Sequence, residues 1–185
     1  MKKIPALALA VLLVGACSAY TVINAGPYRV SEAFSVDPQI TWSRYRIGRI
    51  ETWSIDGYRL HSLRFVDGVE NGQNLMDLKE DDVPLFDSGM TATEVQELVV
   101  DTLSNIGAVN VEGSNLEPID FGSFPGFRFD LTFLTEEGLE MEGIAAGTIY
   151  EAKLYLILYT GARQHYFPNY RDHVLQIIDS VEKNP

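Results

Sequence analysis

Leu154-Tyr155-Leu156-Ile157-Leu158-Tyr159, entered through Lys153 and left through Thr160, holds six apolar side chains in succession. A run of that length without polar alternation reads as a strand covered on both faces. The sheet that contains it must therefore carry further structure on each side. Immediately upstream, Leu139 to Tyr150 pairs with it across Glu151-Ala152, and Glu136-Glu137-Gly138 turns the chain before that. Gly126 to Leu134 places Phe127, Phe129, Leu131 and Phe133 on one face and Arg128, Asp130 and Thr132 on the other, the period-2 pattern of a strand with one covered face. With Val109 to Ile119 ahead of it, the second half of the chain reads as four strands in meander order.

Two amphipathic helices are available to cover such a sheet. Thr91 and Glu94 form a capping box, Val95, Leu98, Val99, Leu103 and Ile106 make an apolar stripe, and Gly107 stands where a C-terminal cap belongs. A closing helix is expected to begin near Pro168, a residue suited to a first helical turn, and to present Tyr170, Val174, Ile177, Ile178 and Val181 to the core. Toward the N-terminus, Tyr28 to Val36, Arg46 to Ile55 and Tyr58 to Val66 read as strands, the last two joined at Asp56-Gly57. In the third, Leu60, Ser62 and Arg64 alternate with His61, Leu63 and Phe65, which puts His61 on the apolar face. Asp67 to Gly89 is acidic and glycine-dotted and reads as a long loop. The economical solution is an α+β fold: an antiparallel sheet of about six or seven strands packed with two main amphipathic helices.

The first residues carry a different message. Lys2 and Lys3 precede an uncharged, mostly apolar stretch from Ile4 to Ala16. A helix needs roughly 20 residues to cross a bilayer core, so this stretch is short for a span and has the layout of a signal peptide. Val14-Gly15-Ala16-Cys17 resembles the lipobox of bacterial lipoproteins, and Cys17 is the single cysteine of the chain. The resemblance implies cleavage after Ala16, diacylglyceryl on the Cys17 thiol and an acylated new amino terminus, with acyl chains such as palmitate. An exported protein with one free thiol risks unwanted intermolecular disulfides, and acylation removes that thiol. Several acyl chains on one residue hold a protein essentially permanently on a membrane. By the same analogy Ser18, in place of Asp, points to the outer membrane, with the domain facing the periplasm. The expected organisation is a signal peptide over 1–16, a lipidated tether over 17–27 and one globular domain over 28–185.

The formal charge of −12 becomes about −14 once Lys2 and Lys3 are removed. Phosphate neutralisation needs clustered Lys and Arg, so nucleic acid is excluded as a partner of the body of such a chain. The membrane is reached through the acyl chains instead, and the expected partner is another protein of the envelope. Charge is unevenly spread: from Asp67 to Glu151 nineteen acids face only Lys79 and Arg128, whereas six arginines lie between Tyr28 and Phe65.

Motifs of catalysis are missing from the sequence: there is no Gly-x-Ser-x-Gly, no His-Glu-x-x-His, no phosphate-cradling glycine loop and no Cys-x-x-Cys. The loop beginning at Asp67 fails as an EF-hand, since Val69 and Leu78 occupy positions that need oxygen ligands. No cofactor and no metal is expected. His165 and His173, with Asp172, offer the one thin lead toward a metal-assisted hydrolase. A candidate ligand or partner surface is formed by Trp42, Trp53, Phe121, Phe124, His165 and Tyr166, which either line an apolar groove or belong to the core.

The order of hairpins, acidic loop, capped helix, antiparallel strands and closing helix resembles a Mog1/PsbP-type sandwich. It is also similar to uncharacterised proteobacterial lipoproteins carrying "GFRFDL" and "KLYLILY" blocks, here Gly126 to Leu131 and Lys153 to Tyr159. The likeness covers most of residues 28–183. It implies a fold and a binding or assembly role, and transfers no functional residue. The sequence thus points to an envelope lipoprotein acting as a non-catalytic binding or scaffold module, with a carrier of a hydrophobic ligand as the alternative.

Overall fold

The apolar run sits where it needs cover on both faces. In the computed structural model, which describes residues 20–78 and 82–185, β10 (Lys153–Ala162) lies between β6 (His61–Val69) and β9 (Glu140–Tyr150). The outer strands are β8 (Phe124–Leu134) and β7 (Val109–Phe121) beyond β9, and β5 (Ile50–Ser54), β4 (Trp42–Ile47) and β1 (Thr21–Ile23) beyond β6. The sheet therefore has eight strands, more than the six or seven expected, and every pairing in it is antiparallel. Ala16, Cys17 and the rest of the leader, like Lys79, Glu80 and Asp81, lie outside the described residues.

The alternation along β10 sorts its side chains between two layers. Leu154, Leu156 and Leu158 join Val95, Leu98, Val99 and Leu103 of α1 (Ala92–Asn105), with Leu75 and Phe86 from the acidic segment. Ile157 and Tyr159 point the other way, into a cluster with Val174, Ile177 and Ile178 of α2 (Tyr166–Asp179). This second layer is completed by a small sheet of β2 (Tyr28–Arg29), β3 (Phe34–Val36) and β11 (Glu182–Lys183). The fold is thus mixed α+β, with one helix on each face of the large antiparallel sheet.

Several boundaries differ from the sequence reading for identifiable reasons. Tyr28 to Val36 is not one strand: the Ser31 hydroxyl accepts from the Ala33 and Phe34 N–H groups, folding a turn between β2 and β3. Arg46 to Ile55 is likewise broken, because Gly48 takes a positive φ of 56° and reverses the chain between β4 and β5. The supposed loop from Asp67 begins later, since β6 continues to Val69 across a bulge that leaves Gly68 at φ 65°. Thr21–Ile23, counted in the tether, forms an edge strand on β4 with Ile23 buried. Phe121 and Phe124 pair directly across a tight turn at Gly122-Ser123 that joins β7 to β8.

The helix boundaries follow their caps. At α1 the Thr91 hydroxyl accepts from the Glu94 N–H (3.3 Å) while Glu94 accepts from the Thr91 N–H (2.7 Å), the reciprocal box read from the sequence. Ile106 falls at the C-cap and is exposed, so the apolar stripe ends at Leu103. Helix α2 begins at Tyr166, two residues before Pro168, which remains in the first turn where its missing N–H costs nothing. No helix among the described residues is long and apolar enough to cross a membrane.

Candidate functional site

Most of the aromatic residues singled out in the sequence are interior. Trp42, Trp53 and Phe121 are buried, so they do not line an open groove. The Trp42 indole donates to the Pro38 carbonyl (3.0 Å), and the Trp53 indole donates to Glu51 Oε1 (2.7 Å). Phe121 packs edge-on against Phe34 (5.3 Å between centroids). Phe124 is half-buried against Tyr150 at 4.2 Å, and the Lys183 ammonium lies 5.4 Å from its ring centre. Of the remaining two, Tyr166 joins a stack with His61 while His165 stands exposed at the start of α2.

The two histidines considered for a metal do not converge. From His165 to His173 the chain climbs about 12 Å along α2 at 1.5 Å per residue, too far for one ion. No group of three or more metal-binding side chains occurs among the described residues.

His61 is the buried histidine that the sequence alternation placed on the apolar face. Its ring lies against Tyr170 (4.5 Å, 11° between planes) and Tyr166 (5.5 Å, 8°). Its Nε2 accepts from the Ile55 and Asp56 N–H groups at 3.2 and 3.3 Å, which requires a lone pair there and so a neutral ring protonated on Nδ1. Burial pushes its pKa below the ordinary histidine value, with the Asp56 charge opposing. In the unfolded chain the ring takes a proton as pH falls through about 6.5, while the folded ring resists it, so stability is lost on acidification below that point. Urea unfolding between pH 7.5 and 5 is expected to show this loss, and His61→Gln to flatten it. An unchanged slope in the variant would assign the acid sensitivity to other groups.

A buried ion network fixes the far end of the sheet on the same face. Glu51 Oε2 accepts from Arg44 (3.2 Å) and Arg46 (3.1 Å), and its Oε1 accepts from Trp53. Burial, then the neighbouring Glu51 carboxylate, pushes the Tyr28 hydroxyl up to about 12, so that ring stays neutral. Glu51 itself is enclosed, its two oxygens taken by Arg44, Arg46 and Trp53.

The open site lies on the opposite face, past the end of α1. A cleft of about 530 Å³ has Arg64 of β6 and Thr160 of β10 on its sheet side. Leu103, Ile106, Gly107 and Ala108 supply the helix wall, Phe133 to Met141 the facing hairpin, and Tyr58, Arg59 and Leu60 the third side. Tyr58, Leu60, Ile106 and Leu139 are exposed apolar side chains that all meet here. The wall closes against the helix because Gly107 (φ 96°) leaves room for Glu136, whose Oε1 would stand 2.6 Å from a Cβ at that position. On the rim the Glu137 carboxyl is held below the usual range, first by its own backbone N–H, then by Thr135 and the Arg59 charge.

Arg64 is the unusual member of this lining. Like the neighbouring Arg59 it makes no ion pair or hydrogen bond with any described residue, in contrast to Arg44, Arg46, Arg49 and Arg128, and it alone of the two sits on the sheet side. Burial lowers its pKa, and only Tyr45 opposes that effect. Its guanidinium is half-buried at the cleft and free of any protein acceptor among the described residues. The sequence reading put Leu60 and Arg64 on one strand face but did not connect them to a site. The signals that mark it are a cation alternating into a central strand and apolar residues just outside the expected elements, Ile106 after the helix and Leu139 after its turn.

No family model matches this chain, and no curated protein matches it. Among solved structures it is similar to cyanobacterial PsbP (CyanoP) from Synechocystis sp. PCC 6803, with a TM-score of 0.57 at 13% identity over 92% of this chain and 96% of that one. The fold is PsbP-like. A looser similarity, with a TM-score of 0.41 at 10% identity, covers 93% of this chain and 88% of LpqN of Mycobacterium tuberculosis, described as involved in cell envelope biogenesis. At these identities the PsbP likeness speaks for architecture, and the site is read from its own residues.

Proposed function

We propose that this chain is an envelope lipoprotein, cleaved after Ala16 and held on the outer membrane by acyl chains on Cys17. Its PsbP-like domain faces the periplasm as a non-catalytic module that binds an envelope component in the cleft at the end of α1. The observation that carries the binding role is the convergence of Tyr58, Leu60, Ile106 and Leu139, all exposed, on a single cleft of about 530 Å³. That volume falls within the roughly 300–1,000 Å³ of small-molecule sites. The short leader and the small residues before Cys17 support the tether.

The test is made on the lipidated protein in cells. A photoreactive amino acid at position 139 or 106 is expected to give a discrete adduct, and one at position 112 on the exposed edge strand to give none. Equal yields from all three positions would remove the cleft as the working surface. Labelled palmitate is expected to enter the wild-type chain and to be absent from Cys17→Ser, and labelling of both forms would contradict the anchor.

A further inference from the structure

We infer that the cleft receives a small acidic amphiphile, a monocarboxylate with an apolar chain, whose carboxylate pairs with Arg64. This rests on the binding role of the cleft and adds the class of ligand. The rim supplies the apolar half of the recognition through Tyr58, Leu60, Ile106 and Leu139. The polar half is one guanidinium on the sheet side, unpaired within the described chain. Arginine presents a planar fork of donors that matches a carboxylate in two parallel hydrogen bonds. Thr160 also lines the sheet side, its hydroxyl 3.3 Å from that of the buried Ser62.

The charge of the rim sets the charge of the ligand. Glu136 and Glu137 offset Arg59 and Arg64 in the lining, so the cleft has no surplus of positive charge to hold a phosphate dianion or a polyanion. A single negative charge at one end of an apolar body suits the arrangement. An extended peptide is a poor match, because its backbone groups would find no free sheet edge here: β6 and β10 each have partners on both sides. Without a ligand, Arg64 keeps its hydrogen-bonding capacity only through water. A carboxylate on Arg64 replaces that water in a partly desolvated site, where charge-assisted bonds are stronger.

The experiment uses the full lipidated protein in phospholipid nanodiscs and a diazirine-bearing dodecanoate as the probe. Adducts are mapped by peptide mass spectrometry, and octanoate, octanol and octylamine are compared as competitors. The expected result is labelling around Leu60, Ile106 and Leu139, with octanoate competing at least about tenfold better than octanol and octylamine weakest of all. Arg64→Gln is expected to remove the advantage of octanoate while leaving octanol unchanged, and Arg64→Lys to keep part of it. Labelling at the cleft with equal competition by octanoate and octanol would overturn the carboxylate assignment and leave the cleft as an apolar site. Absence of labelling at the cleft would overturn the binding role as well. Circular dichroism of each variant separates loss of binding from loss of fold.

Discussion

Replacing Trp53 by alanine is expected to lower the free energy of unfolding by about 3–5 kcal/mol, the range for removing a large buried aromatic side chain. The indole is fully enclosed and packs on Phe65 at 4.5 Å, on Tyr28 at 5.4 Å and on Trp42 at 6.2 Å. Its loss opens a cavity between the sheet and the small β2–β3–β11 layer. It also removes the donor to Glu51 Oε1, leaving a buried carboxylate oxygen unpaired. Trp53→Phe retains most of the volume and separates the two effects, because it deletes the hydrogen bond with a smaller cavity. Urea denaturation followed by far-ultraviolet circular dichroism measures both variants. A loss under 1 kcal/mol for Trp53→Ala would mean that the small layer does not pack as described.

The second large effect concerns Glu51 and is asymmetric. Its side chain is 1% exposed, whereas Arg44 and Arg46 are 30% and 37% exposed. Converting both arginines to methionine strands the carboxylate in the interior, and a loss of about 3–5 kcal/mol is expected. Glu51→Gln keeps an acceptor for Trp53 and leaves two arginines that already reach water. Its cost is expected to be smaller, about 1–3 kcal/mol. Equilibrium unfolding of the two variants at neutral pH tests the order. If Glu51→Gln proved the more damaging, the arginines and not the carboxylate would be the groups that depend on burial.

The layers of the fold were readable because the signal for them is local and strong. Six apolar residues from Leu154 to Tyr159 forced cover on both sides, and the alternation from Phe127 to Phe133 marked a covered face. Thr91 and Glu94 fixed the start of a helix through chemistry confined to four residues. What failed was less local. The turn at Gly48 lies inside a run of good strand formers, and the positive φ there is enforced by pairing of Arg46 with Glu51 and Ile47 with Ile50. The short strand Thr21–Ile23 has no pattern of its own and exists because β4 offers an edge.

The site was less visible than the fold for a related reason. Trp42, Trp53 and Phe121 attract notice by residue type, yet large aromatic groups at strand ends here serve the core. The cleft instead gathers Tyr58, Leu60, Arg64, Ile106 and Leu139 from three separate stretches of the chain, none distinctive alone. Only the geometry of β6 against the end of α1 and the β8–β9 hairpin brings them together.

Occupancy of that cleft is most directly tested by nuclear Overhauser effects on methyl-labelled protein in nanodiscs with added octanoate. Contacts from the octanoate chain to the methyl groups of Leu60, Ile106 and Leu139 are the predicted result. Contacts confined to Val22, Ile47 and Leu85, which are exposed elsewhere on the surface, would contradict it.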